Sequence, residues 1–593
     1  MKRCPQCRRD YYDETLLYCL DDGNTLLDGP ASGSEPPASA AGQLGDEPQT
    51  AILHTTDAAG EAPTRAQLNT ADATAILQTG AEAEPRESLG GLSEKQSFSA
   101  RRRAKPLAAL VFAVLLLVGG FFAYRYLSPA KQINSIAVMP FENRNSDADT
   151  EYLSDGLAES VIFRLTQIPD LRVSPTSSVM RYKGASTDVA KIASELGVDA
   201  VMTGRLTKRG DNLNITVELV DARTNKSLWG EQYERKLSEL LTTQREIVAE
   251  IVGKLQLKLS GESEQKLAKN YTENNEAYQL YLQGRFHWNK RTGESLKHAV
   301  EFFNRAIEKD PKFALAYSGL AESYVLFPNY SVAPPLEAMP KTKAAALRAI
   351  EIDDSLAETH VALGIYYSLF AWNQLAAEKE FRRAIELNPN YATAHQQFAS
   401  ECLTSTGRFD EAVAEAKRAE ELDPLSPIIG ADLGNVLIRA RRFDEAIGQL
   451  NRTLTLDPNF WVAYWYLGMA YHGKGEYSEA VAAYRKGRSL NDNPFLKALH
   501  IRSLAKTGER TEAVKLLDEL QAESERRYVS SSTFAVAYGA LGEKDKAFAA
   551  LQKDIAERGS RLSVLSFNPI WDDLREEPRF TELVRRVEAS KME

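Results

Sequence analysis

Three of the four cysteines in this chain, Cys4, Cys7 and Cys19, lie close together at its N-terminal end. The fourth, Cys402, is far away along the sequence, so the cysteines do not form a disulfide framework. Thiolates at such short spacing are typical ligands of a metal ion, and they predict a small metal site. No two of the seven histidines stand at ligand spacing, which argues against a catalytic metal centre built from histidine.

The N-terminal pattern is C-x2-C-x11-C-x2-D, and it begins with a Cys-Pro-x-Cys knuckle. It resembles a zinc ribbon, and the resemblance implies one structural zinc ion with four ligands. Asp22 stands where that family has its fourth cysteine, so the expected ligands are Cys4, Cys7, Cys19 and Asp22. Because structural zinc sites prefer sulfur to oxygen, a degenerate ribbon without zinc is the alternative. The module at 1–27 is close to neutral, which argues against contact with nucleic acid.

The sequence contains no signature of an enzyme. Phosphate-binding loops, protein-kinase motifs, the zinc-protease motif and the serine-hydrolase elbow are all missing. Glu151 and Asp155 are four residues apart on a predicted helix, with no His, Lys or metal partner in view, and they are interpreted as a solvated helix start. We expect no catalytic activity, no small-molecule substrate and no cofactor except the zinc ion. The formal net charge of −10 also argues against a nucleic-acid-binding protein.

A disordered segment and a membrane helix are predicted next. Residues 28–105 are acidic, rich in small and polar residues, and end in the basic flank RRRAK. Residues 106–127 form an apolar run of the length that crosses a bilayer as a helix. Basic residues are more numerous before this run than after it, so the positive-inside rule places the N-terminus in the cytoplasm and all later residues outside it.

The acidic linker contains a near-duplicated motif. Thr50-Ala-Ile-Leu is repeated as Thr74-Ala-Ile-Leu. We interpret Thr50 and Thr74 as kinase targets that a phosphothreonine-binding domain reads, because phosphorylation would create an anionic ligand for arginine. Coincidence within a low-complexity sequence is the alternative.

Residues 133–260 carry the pattern of an α/β domain. Strands are predicted at 135–141, 200–206, 213–220 and 227–233, and helices at 152–166, 188–196 and 238–259. The pieces SIAVMPF, EYLSDGLAESVIFRL, IASELGVDAVMTGRL and ITVELVDARTNKSLWGEQYER, in this order, resemble the amino-terminal domain of TolB. The resemblance implies a small protein-interaction domain without an established reaction.

Residues 274–593 are helical and periodic. The pairs Asn388-Pro389, Asp423-Pro424 and Asp457-Pro458 each end an apolar helical stretch, at spacings of 35 and 34 residues. This period and the small residues inside each unit, such as Gly434 and Ala446, resemble tetratricopeptide repeats, which implies a superhelical solenoid closed by capping helices.

The resemblance also predicts a partner-binding surface. A tetratricopeptide superhelix binds protein segments on its concave side, and the family's register places seven residues there. A simple solvated helix face is the alternative reading. The predicted contact residues are Gln397, Glu401, Asn435, Arg439, Trp465, Met469 and His472.

The whole layout resembles bacterial transmembrane signalling proteins in which a cytoplasmic catalytic domain precedes similar TolB-like and repeat regions. Here a zinc-ribbon-like module replaces that domain. The sequence therefore predicts a multidomain, single-pass protein of the bacterial inner membrane with extracytoplasmic repeats. Its expected function is a non-enzymatic scaffold or receptor for a protein partner. The alternative is a regulatory component, a sensor or a Ser/Thr kinase substrate, that acts through its cytoplasmic tail.

Overall fold

The computed structural model describes residues 133–145, 148–184, 188–257 and 259–590, together with three short strands near the N-terminus. These strands, β1 (Lys2–Arg3), β2 (Asp10–Tyr11) and β3 (Leu27–Asp28), pair antiparallel in the order β2-β1-β3. The predicted zinc ligands, the phosphorylation motifs and the apolar run at 106–127 lie outside the described residues. Within the described residues no helix has the length and apolarity needed to cross a membrane.

An α/β domain follows, as predicted. Its main sheet has the strand order β6-β4-β7-β8-β9, and β5 pairs beside β7. The first strands pair in parallel and the last two pairings are antiparallel. The strands are β4 (Ser135–Val138), β5 (Glu142–Asn143), β6 (Arg172–Val173), β7 (Ala200–Arg209), β8 (Asn212–Asp221) and β9 (Lys226–Lys236).

Helices cover this sheet, and local sequence sets their ends. The Asp188 carboxylate accepts hydrogen bonds from the backbone N–H groups that open α3, and Gly197 closes the helix in a left-handed conformation at φ 63°. The single helix predicted over 238–259 is wrong: α4 ends at Lys254, and Gln256 has a φ of 53°. The helices are α1 (Ala148–Leu165), α2 (Thr176–Met180), α3 (Val189–Leu196), α4 (Leu240–Lys254) and α5 (Gly261–Ala268).

The described residues then form eight helix pairs, numbered repeats 1 to 8, and a final helix. Repeats 1–4 are α6 (Asn275–Asn289) with α7 (Gly293–Lys309), α8 (Ala314–Leu326) with α9 (Pro335–Ile352), α10 (Ala357–Ile365) with α11 (Gln374–Leu387), and α12 (Ala392–Gln397) with α13 (Phe409–Leu422). Repeats 5–8 are α14 (Pro427–Arg439) with α15 (Phe443–Leu456), α16 (Trp461–Lys474) with α17 (Tyr477–Leu490), α18 (Pro494–Thr507) with α19 (Arg510–Ser524), and α20 (Ser531–Ala540) with α21 (Lys544–Ala556). Helix α22 (Pro578–Ser590) ends the described chain.

Small residues allow the two helices of a repeat to approach closely. A Cβ atom added to Gly434 would lie 2.7 Å from Leu450, and one added to Gly284 or Gly319 would lie 2.5 Å from Phe303. Phe303 is fully buried between these two glycines. The small residues on which the repeat prediction rested therefore lie at helix contacts, where any larger side chain would overpack the core.

Repeats 3 and 4 differ from their neighbours in the first helix. Helix α10 continues as a π-helical turn over Tyr366–Ala371, and α12 continues as one over Phe398–Leu403. A π-turn adds one residue to a helix. The spacing of 35 residues from Pro389 to Pro424, against 34 in the next unit, is the trace of that extra residue in repeat 4.

Two histidines tie the helices of these same repeats together. His360 Nδ1 lies 2.6 Å from Glu380 Oε2, and its Nε2 lies 3.1 Å from the Asp354 carbonyl oxygen. His395 repeats the arrangement with Glu415 and the Pro389 carbonyl. In each case the ring links the first helix of the repeat to its second helix and to the turn before it.

Candidate functional site

The first helix of each repeat lines the inner surface of the superhelix, and the α/β domain covers this surface in repeats 1–3. Side chains from α6, α8 and α10 enclose a cavity together with one face of α1 and the start of α4. The hydrophobic core of the α/β domain continues without interruption into these repeats. The cavity wall includes Glu159, Phe163 and Arg164 of α1, Leu241 and Gln244 of α4, Tyr278, Tyr281 and Arg285 of α6, Ser318 and Glu322 of α8, and Glu358 of α10.

Arg285 is the central polar group of this contact. Its guanidinium lies 2.6 Å from Glu159 on α1 and 3.0 Å from Glu322 on α8. All three side chains are between 12% and 14% exposed. Burial alone would lower the pKa of Arg285, but the two carboxylates raise it well above its usual value. The group is therefore a charge-assisted bridge between the α/β domain and two repeats.

Glu358 adds a third carboxylate to the cavity wall. Burial, and next the charge of Glu322, raise its pKa to about 7. Arg285 opposes this shift without removing it. Near neutral pH this carboxyl therefore exchanges a proton.

The turns between repeats form a second contact with the α/β domain. Asp423 accepts hydrogen bonds from the hydroxyls of Ser177, at 2.5 Å, and Ser178. Two other turn residues bind the segment that joins the α/β domain to repeat 1, because Asp310 accepts from Thr272 and Asp353 from Lys269, each at 2.5 Å. The Asp-Pro motif marks the repeats in the sequence, but nothing in that motif indicated docking.

Glu151 and Asp155 are not a solvated helix start, and that interpretation is wrong. Lys183 Nζ lies 2.7 Å from Asp155 Oδ2 and also contacts Glu151. Asp155 is buried, which raises its pKa although Lys183 opposes the shift. The lysine lies in the SVMRYKG segment, far enough along the chain for the pairing to be invisible in a local pattern.

The seven predicted contact residues lie on the first helices of repeats 4–6, and three of them are buried. Asn435 is 5% exposed, Met469 7% and His472 6%. His472 bonds to the Ser503 hydroxyl at 2.8 Å, and burial lowers its pKa to about 3.

The other four predicted residues are half-buried. Arg439 donates to Thr404 at 2.7 Å, and Trp465 stacks on Trp461 with ring centroids 5.8 Å apart. Gln397 and Glu401 lie on the same inner side in repeat 4.

A buried polar network adjoins these residues and was missed in the sequence. Asp432 accepts hydrogen bonds from Gln396, at 2.6 Å, and from the Tyr466 hydroxyl, at 3.3 Å. Burial raises the pKa of Asp432 to about 6. None of the three is among the seven predicted residues: Gln396 precedes Gln397, Tyr466 follows Trp465, and Asp432 lies three residues before Asn435.

Residues 557–577, between α21 and α22, are called the C-terminal segment. This segment contacts residues at the ends of several first helices. The Arg558 guanidinium lies 4.5 Å from the ring centre of Trp372, and that of Arg561 lies 3.6 Å from the ring centre of Phe495. Arg441 pairs with Asp572 at 2.8 Å. The inner surface is therefore bordered by two parts of the same chain, the α/β domain and the C-terminal segment.

Cys402 is fully buried, and burial raises the pKa of its thiol to about 12, so it packs as a small hydrophobic residue. No group of three metal-binding side chains occurs in the described part of the chain. The expected zinc ligands lie outside that part.

Two families match segments of this chain. Residues 131–250 match the second domain of HilA/YgeH-like transcriptional regulators, and residues 431–494 match the tetratricopeptide repeat. The C-terminal region is therefore a tetratricopeptide-type superhelix, as predicted.

Curated relatives match larger parts. A protein of Rhizobium meliloti named putative adenylate cyclase 3 is 31% identical over 40% of this chain and 41% of its own length. The transcriptional regulator HilA of Salmonella typhimurium is 21% identical over 66% of this chain and 64% of its own length. The chain thus spans less than two thirds of each relative.

Similar solved structures cover the repeats. PilF of Pseudomonas aeruginosa is 21% identical, with a TM-score of 0.27, over 36% of this chain and 92% of its own length. YrrB, described as a TPR protein with an unusual peptide-binding site, is 20% identical, with a TM-score of 0.23, over 33% and 94%.

Replacing Arg285 with Met should destabilise the protein strongly, because Glu159 and Glu322 would remain buried without their cation. We expect the free energy of unfolding to fall by about 3–5 kcal/mol in urea denaturation. Adding Glu159→Gln and Glu322→Gln to the same variant should restore most of the loss. The control is Arg585→Met, whose ion pair with Glu582 is exposed and should contribute little to stability. Equal losses for both single variants would contradict the bridging role.

Replacing Asp423 with Ala should loosen the contact at α2, because the Ser177 and Ser178 hydroxyls lose their acceptor. Hydrogen exchange of the peptide that spans 172–184 should become faster. The matched control is Asp457→Ala in the next turn, where the carboxylate accepts from the backbone N–H of Asn459 within its own turn. Unchanged exchange at 172–184 in the Asp423 variant would show that this turn does not hold the α/β domain.

Proposed function

We propose that this protein is a non-enzymatic scaffold or receptor whose repeats bind a protein partner on their inner surface. The observation that carries the proposal is the stack of tetratricopeptide-type helix pairs, because such stacks present an extended surface made for binding chain segments. The partner's segment contacts repeats 4–6, beside Gln397, Glu401, Arg439 and Trp465. The α/β domain and the C-terminal segment border this stretch on either side.

We further propose that the α/β domain and the repeats lie outside the cytoplasm. The apolar run at 106–127 anchors the chain in the bacterial inner membrane, and the excess of basic residues before it keeps the N-terminus inside. A TolB-like α/β domain then joins the anchor to the repeats. The cytoplasmic part consists of the zinc-ribbon-like module and the acidic linker with Thr50 and Thr74.

A second candidate function is regulatory. The match of residues 131–250 to the second domain of HilA/YgeH-like transcriptional regulators favours it, as does the similarity to HilA over 66% of this chain. In this form the repeats sense a partner, and the N-terminal module passes the signal to a cytoplasmic enzyme or to the transcription machinery.

Site-specific photo-crosslinking in cells tests the binding surface. A photoreactive amino acid at Gln397 should give one discrete crosslinked product that mass spectrometry identifies as a protein partner. The matched control is the same substitution at Glu386, which lies on the second helix of repeat 3 with a 69% exposed side chain. The same products from both positions, or no product from Gln397, would argue against binding on the inner surface.

Replacing Cys4 and Cys7 with Ser separates the two candidates. A scaffold that acts through its repeats should keep its crosslinked partner and its cellular function, because the changed residues lie outside the binding unit. A regulator should keep the partner but lose its effect on the cellular response, measured by transcript profiling. If the Cys4 and Cys7 variant also lost its crosslinked partner, both candidate functions would be contradicted.

A further inference from the structure

The cavity between α1 and repeats 1–3 has the size of a small chain-like group. Its volume is about 60 Å³, and one ordered water occupies roughly 10–15 Å³ on this scale. Four to six groups of water size therefore fit. Much of the wall is aromatic or aliphatic, and it is formed by Phe163, Tyr271, Tyr281, Leu282 and Phe313.

One carboxylate in the cavity wall, that of Glu358, has no cation to pair with within the described ranges. The two cations of the wall are engaged, because Arg285 pairs with Glu159 and Glu322, and Arg164 donates to the carbonyl oxygens of Leu267, at 2.9 Å, and Lys269, at 3.1 Å. The Glu358 side chain has no ion pair or hydrogen bond with any other described residue.

A second polar group of the wall is also unsatisfied. Tyr278 is 4% exposed, and its buried hydroxyl lies near Ser160 without reaching hydrogen-bond geometry. A buried polar group without a partner costs free energy, so the cavity holds two groups that a bound ligand would satisfy.

We propose that this cavity binds an alkylammonium group, with its methylenes between the aromatic rings and its charge beside Glu358. Four methylenes and one ammonium are five heavy atoms, which matches the volume. The ammonium is a compact charge on a slender stem, whereas a guanidinium is a broad plane. A divalent metal ion fits poorly, because magnesium and calcium need about six oxygen ligands and only one carboxylate is free.

This inference goes beyond the proposed function, because the ammonium group belongs either to a free amine or to a lysine of a partner protein. The two sources share the chemistry at Glu358 and differ in what surrounds the stem. A free amine would lie entirely inside the cavity, whereas a partner's lysine would place its backbone at the mouth of the cavity.

The proton on Glu358 gives the site a pH dependence. A bound ammonium favours the carboxylate, and the free carboxyl titrates near pH 7, so binding releases protons at neutral pH. Affinity should fall about tenfold from pH 8 to pH 6. The charged and titratable groups that face Glu358 are Glu159 on α1, Tyr271 and Asp353 at the turns, Tyr281 and Arg285 on α6, Glu322 on α8 and Tyr391 before α12.

Titration calorimetry on the full-length protein tests the site with n-butylammonium and with N-acetyl-lysine amide. At least one should bind, with proton release that appears as a dependence of the heat on the buffer. Glu358→Gln should weaken binding at least tenfold and abolish the proton release. The control Glu386→Gln removes an exposed carboxylate on the outer surface and should leave the affinity unchanged.

The two probes also distinguish the sources. Tighter binding of n-butylammonium supports a free amine, and tighter binding of the lysine amide supports a partner's lysine. No binding of either probe, or equal affinity in the Glu358 variant, overturns the proposal. Should Glu358→Gln fail to fold, the proton release of the unchanged protein decides: binding of either probe without proton release at pH 7 also overturns it.

Discussion

The buried guanidinium of Arg285 is the interaction on which the rest of the architecture depends. It joins Glu159 of the α/β domain to Glu322 of repeat 2 at hydrogen-bonding distance. A buried charge is tolerated only where its partners are fixed in place, so the α/β domain has one orientation on the repeats. The continuous hydrophobic core around it then makes the two regions a single packed body.

This packing changes how the inner surface of the superhelix is used. In repeats 1–3 the surface that would receive a partner receives α1 instead, and what remains is a small cavity. In repeats 4–6 the first helices carry the Asp432 network instead. The partner segment proposed above would bind there, between two parts of the same chain.

Much of this fold could be predicted, because its signals are local. Alternation marks β7, β8 and β9, and the Asp-Pro turns with small residues such as Gly434 mark the repeats. The bridge from Lys183 to Glu151 and Asp155 could not be predicted, since it depends on how a loop folds back on α1. The same holds for the pairs Arg285–Glu159 and Asp423–Ser177, because their members lie more than a hundred residues apart. The repeat register also selected Gln397 and passed over its neighbour Gln396, whose side chain donates to Asp432.

Repeats 3 and 4 each contain a π-turn, and the one in repeat 4 is visible in the sequence as one added residue. An added residue widens the end of the helix, and at these ends the C-terminal segment makes its contacts. The turn at Tyr366–Ala371 and the short helix at Thr404–Thr406 both lie against the helical turn Ser560–Val564. Trp372, which directly follows the first π-turn in a left-handed conformation, receives the guanidinium of Arg558. The 35-residue spacing thus marks repeat 4, which is lengthened where the chain returns to border its own groove.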